Sequence, residues 1–185
     1  MVIIDVDFHH GNGVVEILQR QSDSASGLDN NVAARPNAVF DTDWRQRCMY
    51  ISLHAHPEYP YYTTHLPTPL SKAVTAEEYV SQLQLNLDAA RSWCDENTLI
   101  LVSLGLDTLS EDPIGGFVGL RSQNEYFNIG SEIGRFAEAV GAKTCFLLEG
   151  GYVVDRLGEC VDGVFTGFTH VFESHRSRAR GATPI

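Results

Sequence analysis

The 185 residues hold four cysteines, Cys48, Cys94, Cys145 and Cys160, and no two of them form a C-x-x-C pair. That spacing argues against a dithiol redox motif or a paired-cysteine zinc module. It leaves buried free thiols in a reducing compartment as the expectation. Basic residues are scarce, 13 Lys and Arg against 24 Asp and Glu, for a net charge of −11. Nucleic acid and other polyanions need clustered cations, so no such partner is expected, and the acidic balance favours encounter with cationic substrates. No apolar run approaches the ~18 residues of a membrane helix. Met1-Val2-Ile3-Ile4 carries no basic flank and meets Asp5 at once, unlike a secretory leader. The chain reads as soluble and intracellular, with no membrane partner, while compartment and oligomeric state stay open. No glycine pattern of the phosphate-binding kind follows a strand, and there is no internal repeat or second domain.

What is present is a 43% hydrophobic chain, enough for a core, in which short apolar strands alternate with amphipathic helices. Residues 1–6 read as a strand leading through His9-His10-Gly11-Asn12-Gly13 into a short helix at about 14–20. The polar tract 21–37 reads as a surface insertion. Cys48 to His54 reads as a second strand, followed by a Pro- and Tyr-rich loop through Pro69. Thr75 with Glu78 makes a capping box, and the helix behind it puts Tyr79, Leu83, Leu87 and Ala90 on one face. A third strand spans 98–104. Ser122 with Glu125 opens a helix with Ile129, Ile133, Phe136 and Val140 inward, stopped at Gly141. Lys143–Leu148 is the fourth strand, and the turn at Gly150-Gly151 leads to a helix burying Leu157, Val161, Val164 and Phe168. This alternation predicts an α/β fold, a parallel sheet with helices on both faces and its site at the carboxyl ends of the strands. The domain is expected over 1–174, with 175–185 a basic, frayed tail.

Two of those strand ends carry chemistry. Alternation along a strand sends Asp5, Asp7 and His9 to one side and Val6 and Phe8 to the other. Asp107 follows the third strand. Two carboxylates and an imidazole form the ligand set of a catalytic zinc with an open fourth position. Plainer readings exist: a lone Asp at a strand end is commonly a cap, and His9 and His10 can be a satisfied pair. Two carboxylates on one face of an apolar strand are harder to explain without a cation, because burying unpaired charge is costly.

The tracts Asp5-Val6-Asp7-Phe8-His9-His10-Gly11-Asn12-Gly13, Ile51-Ser52-Leu53-His54, Gly105-Leu106-Asp107-Thr108 with Asp112-Pro113, and Glu149-Gly150-Gly151-Tyr152 occur in the order seen in the zinc-dependent deacetylases. The chain resembles that family, which includes histone deacetylases and acetylpolyamine amidohydrolases and has an arginase-like α/β fold. The likeness runs from residue 1 to about 170. The tract from Ser52 to Tyr62 looks closer to the acetylpolyamine branch. The resemblance implies Zn2+ held by Asp7, His9 and Asp107, and a monovalent cation, K+, near Asp5, Asp7, His9, Ser52 and Leu53. It implies that Tyr152 polarises the substrate carbonyl, and that His56, Tyr61 and Tyr62 line a channel for an acetylated cationic amine or acetyl-lysine. Zinc in such a site lowers the pKa of bound water, and a phenol opposite it stabilises an oxyanion.

The pattern also departs from the family's. Its tandem general-base histidines lie upstream of the Asp-x-Asp-x-His strand, and here that strand opens the sequence. Thr63-Thr64-His65 runs directly into Leu66-Pro67, where relatives carry a glycine-rich loop. The expectation is therefore the carboxyl-terminal part of a deacetylase, truncated at its amino end and of low or no activity. A first strand without neighbours would expose an edge and apolar faces. Two alternatives stand beside it: a non-catalytic metal-binding or interaction remnant of the same fold, and a binuclear manganese hydrolase of the arginase type. The second needs a further bridging carboxylate, absent from His10-Gly11-Asn12.

Overall fold

The computed structural model describes residues 1–25, 48–54, 74–115 and 118–181. Its elements are β1 (Val2–Asp5), α1 (Asn12–Ala25), β2 (Met49–Ser52), α2 (Ala76–Arg91), β3 (Leu99–Leu104), α3 (Gln123–Val140), β4 (Lys143–Leu148) and α4 (Val154–Gly181). All strand pairings are parallel, in the order β2-β1-β3-β4. Strand order therefore reverses beside β1, and a crevice at such a point, outside the carboxyl ends, is where sheets of this kind bind ligands.

Every residue of β1 is buried. Its flanks are taken by β2 and β3, so the strand expected to lack neighbours is interior. The exposed edge falls on β4 instead, where Leu147 and Leu148 are 46% and 62% exposed. One sheet face carries Val2, Ile4, Ile51, Ile100, Val102 and Leu104, joined in a single core by Leu83 and Leu87 of α2, Ile129, Ile133 and Phe136 of α3 and Val164 of α4. On the opposite face Ile3 and Tyr50 pack with Val15 and Leu18 of α1. Helices thus lie on both faces, and Leu101 of β3 packs against the α1 cluster. Cys145, on β4, is exposed, Cys48 and Cys94 are half-buried, and Cys160 is buried; all four thiols are free. The expectation of four buried thiols is corrected accordingly.

The helix boundaries follow the local signals. Thr75 Oγ1 accepts from the Glu78 N–H at 3.2 Å while Glu78 accepts from the Thr75 N–H at 2.8 Å, which satisfies two donors left over at the start of α2. Glu125 likewise accepts from the Ser122 N–H at 2.8 Å. Gly141 takes φ 68°, and the next N–H, of Ala142, returns to the Ala137 carbonyl at 2.9 Å, a Schellman ending of α3. Two helices outrun their expected bounds. α1 continues to Ala25, and the backbone of α4 stays helical through Gly181, past residue 174, the last of the expected domain. No helix among the described residues is long and apolar enough to cross a membrane.

Candidate metal centre

β1 ends at Asp5, and residues 7–9 form bends rather than further strand. Two Asx turns make them. Asp5 Oδ1 accepts from the Asp7 N–H at 3.1 Å, and Asp7 Oδ1 accepts from the His9 N–H at 2.7 Å. Short acidic side chains that capture the N–H two residues on curl the chain tightly. This curl, rather than strand alternation, brings Asp7 and His9 together. The sequence expectation had the right residues converging for a different geometrical reason.

Asp107 meets them from the end of β3. Its Oδ1 accepts from the Phe8 N–H at 2.9 Å, tying the two strand ends across the sheet. One donor atom each from Asp7, His9 and Asp107 lies within 4.8 Å of the others. His9 Nδ1 is 3.1 Å from Asp7 Oδ1 and 2.8 Å from Asp107 Oδ2. Asp107 Oδ2 is buried without a hydrogen-bond partner among the described residues, the His9 ring nitrogen 2.8 Å away notwithstanding. An acceptor aimed at a ring nitrogen without bonding it suits a shared cation. Two carboxylate oxygens and one imidazole nitrogen are the donor set zinc takes. Burial, and then the neighbouring Asp7 charge, push Asp107 up to about 6, so without a cation this oxygen is poorly accommodated as an anion. The residues fit a zinc ion.

Asp5 stands behind this trio rather than in it. It is 3% exposed, and its second oxygen accepts from the Tyr50 hydroxyl, which in turn accepts from the Gly11 N–H at 3.0 Å. Burial pushes the Asp5 carboxyl up to about 7 against the lowering effect of that phenol. The register sets Asp5 beside Ser52, and the Leu53 N–H donates to the Asp5 carbonyl at 3.0 Å. The residues named for a monovalent cation are therefore neighbours at the ends of β1 and β2. Ser52 Oγ lies 3.1 Å from His54 Nδ1. His10, buried, packs edge-on against His54 with ring centroids 4.7 Å apart, and burial lowers His54 to about 4. Both belong to packing behind the site, as expected for His10.

Glycines form the remaining wall. A Cβ on Gly105 would lie 2.2 Å from Asp7 Oδ2 and 2.4 Å from its Cα, and one on Gly150 would lie 2.7 Å from Asp107 Oδ2. The Gly150 N–H donates to Asp7 Oδ2 at 3.1 Å. Gly151 adopts φ 131°, open to glycine alone in practice, and Tyr152 follows it with 54% of its surface exposed. His56, Tyr61 and Tyr62 lie outside the described residues. Sequence reasoning did not single out Tyr50 or Gly105. A Tyr in an apolar strand reads as core, and a close backbone approach leaves no sign in one sequence beyond the glycine itself.

The chain spans a little under half the length of the curated relatives it matches. An acetylpolyamine amidohydrolase of Pseudomonas aeruginosa is 27% identical over 186 residues, covering 92% of this chain and 45% of its own length. The acetylpolyamine amidohydrolase of Mycoplana ramosa is 28% identical over 182 residues, 90% of this chain and 44% of its own. Among solved structures, an acetylpolyamine aminohydrolase from Burkholderia pseudomallei superposes with a TM-score of 0.65 at 21% identity, over 90% of this chain and 44% of that one. The histone deacetylase Clr3 gives a TM-score of 0.59 at 19% identity, over 90% and 26%. Those two likenesses establish the arginase-like deacetylase fold. The histone deacetylase domain itself matches residues 1–168, from the first strand through most of α4. A match of that extent, over motifs whose side chains meet at one point of the sheet, means that the chain belongs to the histone deacetylase family.

Proposed function

We propose that this chain carries the metal ligands and the oxyanion-stabilising phenol of a zinc-dependent amidohydrolase that removes acetyl groups from amines. The proposed substrate is an acetylpolyamine or an acetylated lysine. One observation carries the reading: the buried, unbonded Asp107 Oδ2 set 2.8 Å from His9 Nδ1. The names of the relatives support an acetylated amine, and the net charge of −11 suits a cationic one.

Asp7, His9 and Asp107 would hold the zinc, which when bound polarises an amide carbonyl and activates water. Phe8 and Gly150 brace the carboxylates of Asp107 and Asp7 respectively through backbone N–H groups. Tyr152, carried on the glycine turn, donates its hydroxyl proton as a hydrogen bond to the oxygen of the carbonyl under attack. Asp5, Asp7, His9, Ser52 and Leu53 would hold K+ behind the zinc ligands, and His56, Tyr61 and Tyr62 would line the approach. His9 and His10 belong to the ligand motif and do not serve as the family's tandem general-base histidines, and general acid–base catalysis is worth ~10²–10⁴-fold.

The test is zinc uptake and acetate release by the purified chain, with the Pseudomonas relative assayed in parallel. About one zinc per chain is expected, lost in Asp107→Ala, with chelator-sensitive release from N-acetylputrescine ~10²–10⁴-fold below the relative. No zinc uptake by the wild-type chain would overturn the reading. Zinc uptake with no release at all would favour a non-catalytic metal-binding role.

A further inference from the structure

We propose that Asp112 is the positioning residue for Tyr152, holding the phenol-bearing turn against the loop that carries Asp107. The proposal rests on the deacetylase reading and names what orients its phenol. Asp112 is 5% exposed, in the loop that follows β3. Its Oδ1 accepts from the N–H groups of Ile114, at 2.9 Å, and Gly115, at 3.1 Å. Its Oδ2 reaches the next loop and accepts from the Tyr152 N–H at 2.8 Å. Three backbone donors from two loops thus share one carboxylate.

Both ends of that bridge touch the site. A Cβ on Gly115 would lie 2.0 Å from the Asp107 carbonyl oxygen, so the oxygen that holds Gly115 seats it directly on the backbone of a metal ligand. At the other end, Gly150 is fixed twice, by its carbonyl to the Leu106 N–H at 2.8 Å and by its N–H to Asp7. The chain from Gly150 to Tyr152 is therefore pinned at both termini, to the Asp7 carboxylate and the Leu106 N–H at one and to Asp112 at the other. Tyr152 is more than half exposed, so side-chain packing contributes little to its placement, and the backbone hydrogen bond sets where the ring begins.

The chemistry requires a carboxylate. An asparagine has one carbonyl oxygen, so its NH2 would face either the Tyr152 N–H or the Ile114 and Gly115 pair, donor against donor. A residue that only shaped its own turn would change stability alone. Asp112 must change the relation between phenol and metal.

Two measurements test this. In the metal-free chain, Asp112→Asn is expected to speed hydrogen exchange at the Tyr152 amide by about tenfold or more while the amides of β1 and β3 are unchanged. Equal exchange in the two proteins would overturn the proposal. In chains labelled with [13Cζ]tyrosine and loaded with Co2+, the Tyr152 signal is identified by its loss in Tyr152→Phe. Asp112→Asn should then cut the cobalt-induced shift of that signal at unchanged Co2+ stoichiometry, with Tyr79 and Tyr126 unmoved. An undiminished shift would refute the positioning role. If Asp112→Asn does not fold, the through-hydrogen-bond coupling between the Tyr152 amide nitrogen and the Asp112 carboxyl carbon in the wild-type chain decides, and its absence refutes the bridge. Failure of the wild type to bind Co2+ would instead defeat the metal reading, while the exchange experiment still rules on Asp112.

Discussion

Asp107 and Tyr152 stand just beyond neighbouring parallel strands, yet the chain secures them in opposite ways. Asp107 is wholly buried, bonded to the Phe8 N–H, faced by Asp7 and His9, and backed by the wall that Gly105 and Gly150 form. Tyr152 is 54% exposed, and its backbone N–H donates to Asp112. The metal side of the site is part of the sheet's core, so its geometry shares the stability of the fold. The phenol side is attached to that core and can change without unfolding it. Substitutions on the first side should therefore be felt as stability and metal affinity together, and on the second as chemistry alone.

The sharpest way to break this contrast is Gly105→Ala. The new methyl would overlap Asp7 at backbone as well as side-chain atoms, and such overlaps are not relieved by rotating a side chain. Overpacking of this kind costs about 1–3 kcal/mol and here displaces a proposed metal ligand. Urea unfolding should show a lower midpoint, and calorimetric titration a matching loss of zinc affinity. Normal values of both would mean that the metal wall is looser than the packing indicates.

Tyr50→Phe comes next. It removes the hydroxyl that donates to Asp5 and accepts from Gly11, leaving a buried carboxylate oxygen and an N–H without that partner. The expected cost is about 1–3 kcal/mol, read as a lower unfolding midpoint in the metal-free chain. An unchanged midpoint would show that Asp5 does not depend on the phenol beneath it.

These two residues also mark where the sequence was legible. Asp7, His9 and Asp107 could be named because carboxylates and an imidazole have few reasons to follow apolar strands, and the alternation of strands and helices predicted the parallel sheet. The capping boxes at Thr75 and Ser122 and the stop at Gly141 are local chemistry and were readable as such. Tyr50 and Gly105 act through partners distant in sequence, which a single chain does not display. The curl at Asp7 and His9, beyond the strand expected over 1–6, is not separable from continued strand alternation in the sequence, because acidic residues spaced by two fit alternation and Asx turns equally well. The neighbours of β1 and the exposure of Cys145 depend on strand order, which periodicity does not carry.

A milder probe of the metal side is pH. In the metal-free chain burial raises Asp107 to about 6 and Asp5 to about 7, above the usual carboxylate range near 4. The native state then holds more protons than the unfolded chain between about pH 4 and 7, so these two groups make stability fall as pH rises through that window. Zinc replaces the Asp107 proton, so zinc affinity should rise over the same interval and the alkaline loss should shrink when the metal is bound. Thermal unfolding at pH 4.5 and 7, with and without zinc, checks the sign. A metal-free chain whose stability is flat across the window would show that these carboxyls are ionised at little cost.

Tyr152→Phe is the smallest change in stability and the best control for Tyr50→Phe, since both delete one phenolic oxygen. At an exposed position the unfolding midpoint should move by no more than about 0.5 kcal/mol, and zinc affinity should stay within a few-fold of wild type. Residual zinc-dependent acetate release should nevertheless fall by about 10²–10³-fold, the usual cost of one lost oxyanion donor. The matched pair separates the two sides of the site by where the loss is read, stability for Tyr50 and turnover for Tyr152. If Tyr152→Phe lowered the unfolding midpoint as far as Tyr50→Phe while leaving acetate release untouched, the phenol would be a structural prop. The stabilisation of the oxyanion would then have to come from elsewhere around the metal.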